Sequence, residues 1–143
     1  MTAKEFLQQI IATDRKINRM LELKQHYRDM ACKATASFSP APGAATGDSR
    51  TEKFAIKIVD LEREIDEEID RYVEIKRKAR DVIATIRDQR FRNILEMRYF
   101  HGARWELIMG DMGYERTHIY RLHGTALLEF QKRWDEMGLL TVV

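Results

Sequence analysis

Arg116, Thr117, Tyr120 and Arg121 are spaced so that a helix would show them together: 117, 120 and 121 are steps of three and then one, four in all. A guanidinium offers two parallel donors to a guanine edge or a phosphate. A threonine hydroxyl bonds to either, and a tyrosine ring adds an apolar face. This is the chemistry of reading nucleic acid. Arg121 is the candidate for a base edge, and Arg116, nearer the helix start, for a phosphate. Arg104, His118 and Thr125 complete the candidate DNA-binding set; His118 faces either DNA or solvent.

Other chemistry finds little footing. The carboxylates of LEREIDEEID, residues 61–70, have no accompanying histidine and fit a solvated helix face with i, i+4 ion pairs. There is no Gly-rich phosphate loop, no HExxH and no nucleophile motif. Cys32 is the single cysteine, so neither an intramolecular disulfide nor a Cys/His metal cluster is expected. His123 falls on an apolar helix side and reads as a hydrogen-bonded core histidine rather than a ligand. The chain reads as a non-enzyme, with no catalytic residues, metal or cofactor.

The elements that must hold the candidate face follow from apolar spacing. Trp105, Ile108, Met109 and Met112 lie at i, i+3, i+4 and i+7, one side of a short helix. Gly113 allows the left-handed residue that ends it. Ile119, Leu122, His123, Ala126 and Leu127 form the buried side of a second helix running to about Met137, where Gly138 stops it. An apolar tail, residues 139–143, follows, a docked or frayed terminus. A helix over residues 90–100, after a break at Asp88-Gln89, precedes the pair, with Phe91, Ile94, Leu95, Arg98 and Tyr99 inward and His101-Gly102 as its end.

Upstream, the spacing predicts two long helices. Over residues 2–36, Phe6, Ile10, Thr13, Ile17, Met20, Lys24, Tyr27 and Ala31 alternate by four and three, with Leu7, Ile11 and Leu21 widening the stripe. Over residues 51–86, Phe54, Ile58, Leu61, Ile65, Glu68, Tyr72, Ile75, Ala79, Val82 and Ile86 repeat the pattern. Both prolines fall in the loop between, residues 38–49. The matched seams predict an antiparallel hairpin or a swapped dimer, with Lys24 and Glu68 as opposed polar positions that set register. The fold class is all-α, and 143 residues make one domain, or one with an extension.

Net charge is +2, and between 87 and 134 the basic excess is small, so dimerisation or a protein partner is expected to supply part of any DNA affinity. The N-terminus, MTAKEFLQQII, is too short and polar for a signal peptide or a membrane span, which leaves a reducing cytoplasm as the expected place and no membrane partner.

The run RYFHGARWELIMGDMGYERTHIYRLHGTAL, residues 98–127, resembles the C-terminal helix-turn-helix of RNA polymerase sigma factors. It resembles more closely the sigma-region-4-like proteins of bacteriophages and prophages, the ArpU and RinA group of late-gene regulators. The features that carry the resemblance are Arg98-Tyr99, Gly102, Trp105, Met112-Gly113-Tyr114 and Tyr120-Arg121-Leu122-His123. Two positions depart from the group. Glu115 stands where Ser or Thr usually caps the helix, with Thr117 as the alternative cap and a Tyr114–Ile119 staple as support. Met109 stands where a small residue is usual, with Gly110 beside it to restore room.

The resemblance implies a long antiparallel hairpin, residues 1–86 with a loop at about 37–50, that dimerises or contacts RNA polymerase. A sigma-region-4-like helix-turn-helix domain, residues 87–143, follows. It would bind double-stranded promoter DNA as a phage-type transcriptional regulator. The alternatives are a small-terminase-like DNA-packaging protein and a protein-binding module that sequesters RNA polymerase or a sigma factor.

Overall fold

A computed structural model describes residues 1–36 and 46–138, and no strand occurs among them. The expected all-α class is the observed one. The elements are α1 (Ala3–Ala36), α2 (Thr46–Ala84), α3 (Gln89–Leu95) with a π-helical turn (Glu96–Phe100), α4 (Trp105–Met112) and α5 (Arg116–Glu136). No helix among the described residues is long and apolar enough to cross a membrane.

Local chemistry sets the boundaries. Thr2 and Glu5 form a reciprocal capping box at the start of α1: Glu5 N donates to Thr2 Oγ1 at 3.2 Å, and Thr2 N to Glu5 Oε2 at 2.9 Å. The expected 38–49 loop is shorter on its C-terminal side, because α2 already begins at Thr46; residues 37–45 lie outside the described residues. Asp88 caps α3, its Oδ1 accepting from Arg90 N at 2.9 Å, so the break before α3 is Thr85–Asp88 rather than Asp88-Gln89. Arg92 donates to the carbonyls of Ile86 and Arg87, satisfying two groups left open where α2 ends. Gly102, Gly113 and Gly138 all take positive φ, the last two ending α4 and following α5 as expected.

The chain divides into two compact units: Met1–Thr13 with everything from Tyr72 on, and Asp14–Arg71. The first has the larger core. Phe130, Ile83, Ile86, Ile94, Leu95, Ile108 and Ile119 are fully buried, and Leu7 and Ile10 from the start of α1 join them. The end of α5 holds that first turn: Ala3 N donates to Gln131 Oε1 at 2.6 Å, and the Phe6 and Trp134 rings lie 4.3 Å apart.

In the second unit the α1 and α2 stretches share a narrow seam. Ile17, Ala34, Leu61 and Ile65 are buried, while Met20, Tyr27, Phe54 and Ile58 are half-buried. Lys16 pairs with Glu68 at 2.8 Å, Lys24 with Glu62 at 3.1 Å, and Tyr27 meets Phe54 with centroids 6.1 Å apart. Ascending α1 meets descending α2, so these stretches run in opposite directions. Two expectations are corrected here. Lys24 and Glu68 do not oppose each other, since each takes a different partner. Leu21 is 44% exposed instead of widening the stripe, because two facing helices cover only one seam.

Candidate nucleic-acid interface

The face on α5 is made by the side that it buries. Ile119 and Ala126 are fully enclosed and Leu122 nearly so, with Leu127 and His123 half-buried beside them. Positions between those must then face out. Arg116, Thr117, His118, Tyr120, Arg121 and Thr125 are all exposed on α5, and Arg104 is exposed as the N-cap of α4. The partner helix α4 buries Ile108 completely and Trp105, Met109 and Met112 in part, as the spacing predicted. Gly113 turns the chain between them at φ +71°.

The two departures resolve locally. Glu115 is the N-cap in extended conformation, its side chain makes no capping bond, and α5 starts at Arg116; the alternative cap, Thr117, lies inside the helix. Tyr114 stacks on His118 with centroids 4.1 Å apart, so His118 faces a ring as well as solvent. Met109 fits at the core edge without help from Gly110, which is exposed with no atom within 4 Å of where its Cβ would lie.

Behind the face sits a cluster that sequence reasoning saw only as separate motif residues. The Arg98 guanidinium lies over the Trp105 ring at 4.6 Å, and its Nη1 donates to Ala103 O at 3.0 Å. Trp105 meets His123 edge-on at 4.7 Å and Tyr120 edge-on at 5.4 Å. The Tyr99 hydroxyl is 2.9 Å from His123 Nε2. Burial, with the cations of Lys4 and Arg98 adding to it, lowers the His123 pKa to about 4. Burial also raises the Tyr99 pKa. A neutral imidazole and a protonated phenol therefore face each other across this hydrogen bond, the imidazole tautomer setting which of the two donates. The Arg98 and Tyr99 side chains both leave the π-helical turn, whose wider winding the 3.6-residue spacing of the sequence does not announce.

The face itself is cationic. Between 116 and 128, α5 carries Arg116 and Arg121 and no carboxylate. Arg121 and Thr117 make no side-chain hydrogen bond or ion pair among the described residues. Arg116 approaches Glu106 at 3.8 Å, a long pair between two well-exposed groups. Thr125 Oγ1 donates to Arg121 O, one turn back on its own helix. Arg104 stands apart in sequence as the N-cap of α4, and its side chain makes no hydrogen bond or ion pair among the described residues. Spacing alone left two exposed leucines unnoticed, Leu107 on α4 and Leu128 on α5, which are 63% and 73% exposed. No group of three or more His, Cys, Asp or Glu side chains placed to hold a metal occurs among the described residues.

The family model described as "Protein of unknown function (DUF1492)" matches residues 46–131. The chain belongs to the DUF1492 family. The DUF1492 match opens with the first residue of α2 and closes inside α5, so it takes in the π-helical turn, α4 and every candidate contact from Arg104 to Thr125. α1 precedes it. No curated protein and no solved structure matches the chain.

Proposed function

We propose that this DUF1492 protein binds duplex DNA, with α4 and α5 acting as a sigma-region-4-like helix-turn-helix and α5 as its reading helix. The observation that carries the proposal is the outward side of α5. It joins Arg116, Thr117, Tyr120 and Arg121 on a stretch free of carboxylates, backed by the Trp105 aromatic cluster. A major groove accepts a helix of that width and charge, and Arg121 has the reach and free donors to bond a guanine edge. On this reading residues 87–143 form the DNA-binding domain of a phage-type transcriptional regulator. The long antiparallel hairpin of residues 1–86 dimerises or contacts RNA polymerase, supplying affinity that the modest charge of the face does not.

One observation favours a second reading, a protein-binding module. Leu128 is large, apolar and 73% exposed on α5 itself, and Leu107 is 63% exposed on its partner helix α4, as at protein interfaces.

The test is selection of duplexes from a random library, followed by titration of two variants across a salt series. Arg121→Ala is expected to lose about 1–3 kcal/mol on the selected site and to relax preference at one base position. Arg116→Ala is expected to weaken all duplexes alike and to reduce the salt slope by about one unit. Full affinity in both variants removes this face from DNA and leaves the protein-binding reading.

A further inference from the structure

The described glycines fall into two groups. Gly102, Gly113 and Gly138 have positive φ, where any side chain is strained. Gly124 does not. It lies inside α5 with ordinary helical geometry, it is exposed, and a Cβ added there would meet no atom within 4 Å. The fold gives no reason for a glycine at this position, and glycine within an exposed helix costs stability relative to alanine. An alanine would fit and would make a better helix.

Position 124 belongs to the cationic face. It follows Arg121 by three residues and Thr117 by seven, and precedes Leu128 by four, so these four positions form one row along α5. Thr117 and Arg121 are exposed, Leu128 is 73% exposed, and the row carries no carboxylate. A missing side chain in the middle of such a row is a shallow notch. Its use is close approach, with a partner's backbone meeting the helix backbone while the flanking side chains reach past it on either side.

We infer that Gly124 is the close-approach point of α5 on DNA. Resting on the DNA-binding reading above, this places the sugar-phosphate wall of the groove against the bare backbone at 124, with Arg121 and Thr125 reaching either side of it. Glycine is kept there for contact distance and at the expense of helix stability. The occupant is duplex DNA because the row's polar members are a free cation, Arg121, and a hydroxyl, Thr117, which suit phosphate oxygens. A packed protein helix would more readily cover a row of apolar groups, and Leu128 alone supplies one.

The experiment compares Gly124→Ala, Gly124→Gln and Gly110→Ala with the parent chain, using duplexes selected on the parent chain. Gly110 is the control, a second exposed helical glycine with open space around it, on α4 and turned about 200° from the buried Ile108. Both alanine variants are expected to raise the melting temperature by a few degrees. Gly124→Ala is expected to weaken duplex binding about tenfold, and Gly124→Gln further, while Gly110→Ala binds like the parent. Parent-like binding by both Gly124 variants overturns the inference and leaves the DNA reading standing. A parent chain that selects no duplex and retains none at low salt overturns the DNA reading, and this inference with it. A Gly124→Ala variant that melts lower than the parent overturns the premise that the fold does not need this glycine.

Discussion

Around Phe130, side chains from α1, α2, α3, α4 and α5 enclose one another, and ten of the largest are wholly or almost wholly shut off from solvent. Around Leu61, two helical stretches share a single line of contact, and Leu21, Leu23, Ile56, Val59 and Ile69 remain exposed beside it. Both regions are helical and both follow a four-three apolar alternation. The difference lies in the number of faces covered. A helix with neighbours on several sides buries a broad stripe, whereas a helix with one partner buries only a seam. Periodicity reports that a side is apolar, but not how many neighbours will cover it. The region bearing the cationic face is the well-packed one.

The sharpest way to break this comparison is to empty one site in each region. Phe130→Ala removes a fully enclosed ring and is expected to cost about 3–5 kcal/mol. Leu61→Ala, in the thin seam, is expected to cost about 2 kcal/mol, the low end for such a change, because water and neighbouring side chains can fill the gap. The two tryptophans, Trp105 and Trp134, both lie in the first unit, so fluorescence follows that unit while circular dichroism follows every helix. Urea unfolding by both signals should show Phe130→Ala shifting both curves and Leu61→Ala shifting chiefly the dichroism. Equal costs at the two sites would mean that the regions do not differ as described.

Acid sharpens the comparison next, because the first unit holds a half-buried neutral histidine. His123 has its pKa lowered to about 4 in the folded chain, against an ordinary value near 6.5. Between those values the unfolded chain binds a proton that the folded chain refuses, so stability falls as pH falls. The contribution is complete above about pH 6.5 and is lost progressively as pH drops toward 4. Allowing for the partial solvent access of the ring, the loss from pH 7 to pH 5 is expected to be about 1–2 kcal/mol. Fluorescence-followed urea melts at the two pH values measure it, with His123→Gln as the reference in which most of the dependence disappears. An unchanged slope in that variant would assign the acid sensitivity to other groups.

The C-terminal elements were legible because their signals are local and redundant. Gly113, the 105-108-109-112 set and the 119-122-126 set each point to the same pair of helices, and all occupy the positions expected. The outward placement of Arg116, Thr117, Tyr120 and Arg121 followed from the same spacing. What stayed hidden depends on the third dimension. The Arg98–Trp105–His123–Tyr99 cluster joins residues up to 25 positions apart through a π-helical turn that no spacing rule anticipates. Trp134 and Gln131 meet the first turns of α1 across almost the whole sequence. The Thr2–Glu5 box and the Asp88 cap were readable from residue type but are short signals, easily passed over beside long seams.

The smallest expected effect concerns the polar positions of the thin seam. Glu68 occupies a seam position, its side chain is 16% exposed, and it meets Lys16, which is 52% exposed. The pair joins one partly shielded charge to one well-solvated charge, so its coupling is expected to be weak, below about 1 kcal/mol in a double-mutant cycle of Lys16→Ala with Glu68→Ala. Glu68→Leu goes further, replacing a carboxylate with an apolar side chain among Ile65 and Tyr72, one step along the seam on either side. Burial of that side chain should match or exceed the lost ion pair, so the variant should melt at or slightly above the parent in the dichroism signal. A clear drop in melting temperature would show that Glu68 is positioned for pairing rather than tolerated at a cost. The seam would then hold by its charges as well as by its apolar line, and the contrast between the two regions would be one of kind rather than of coverage.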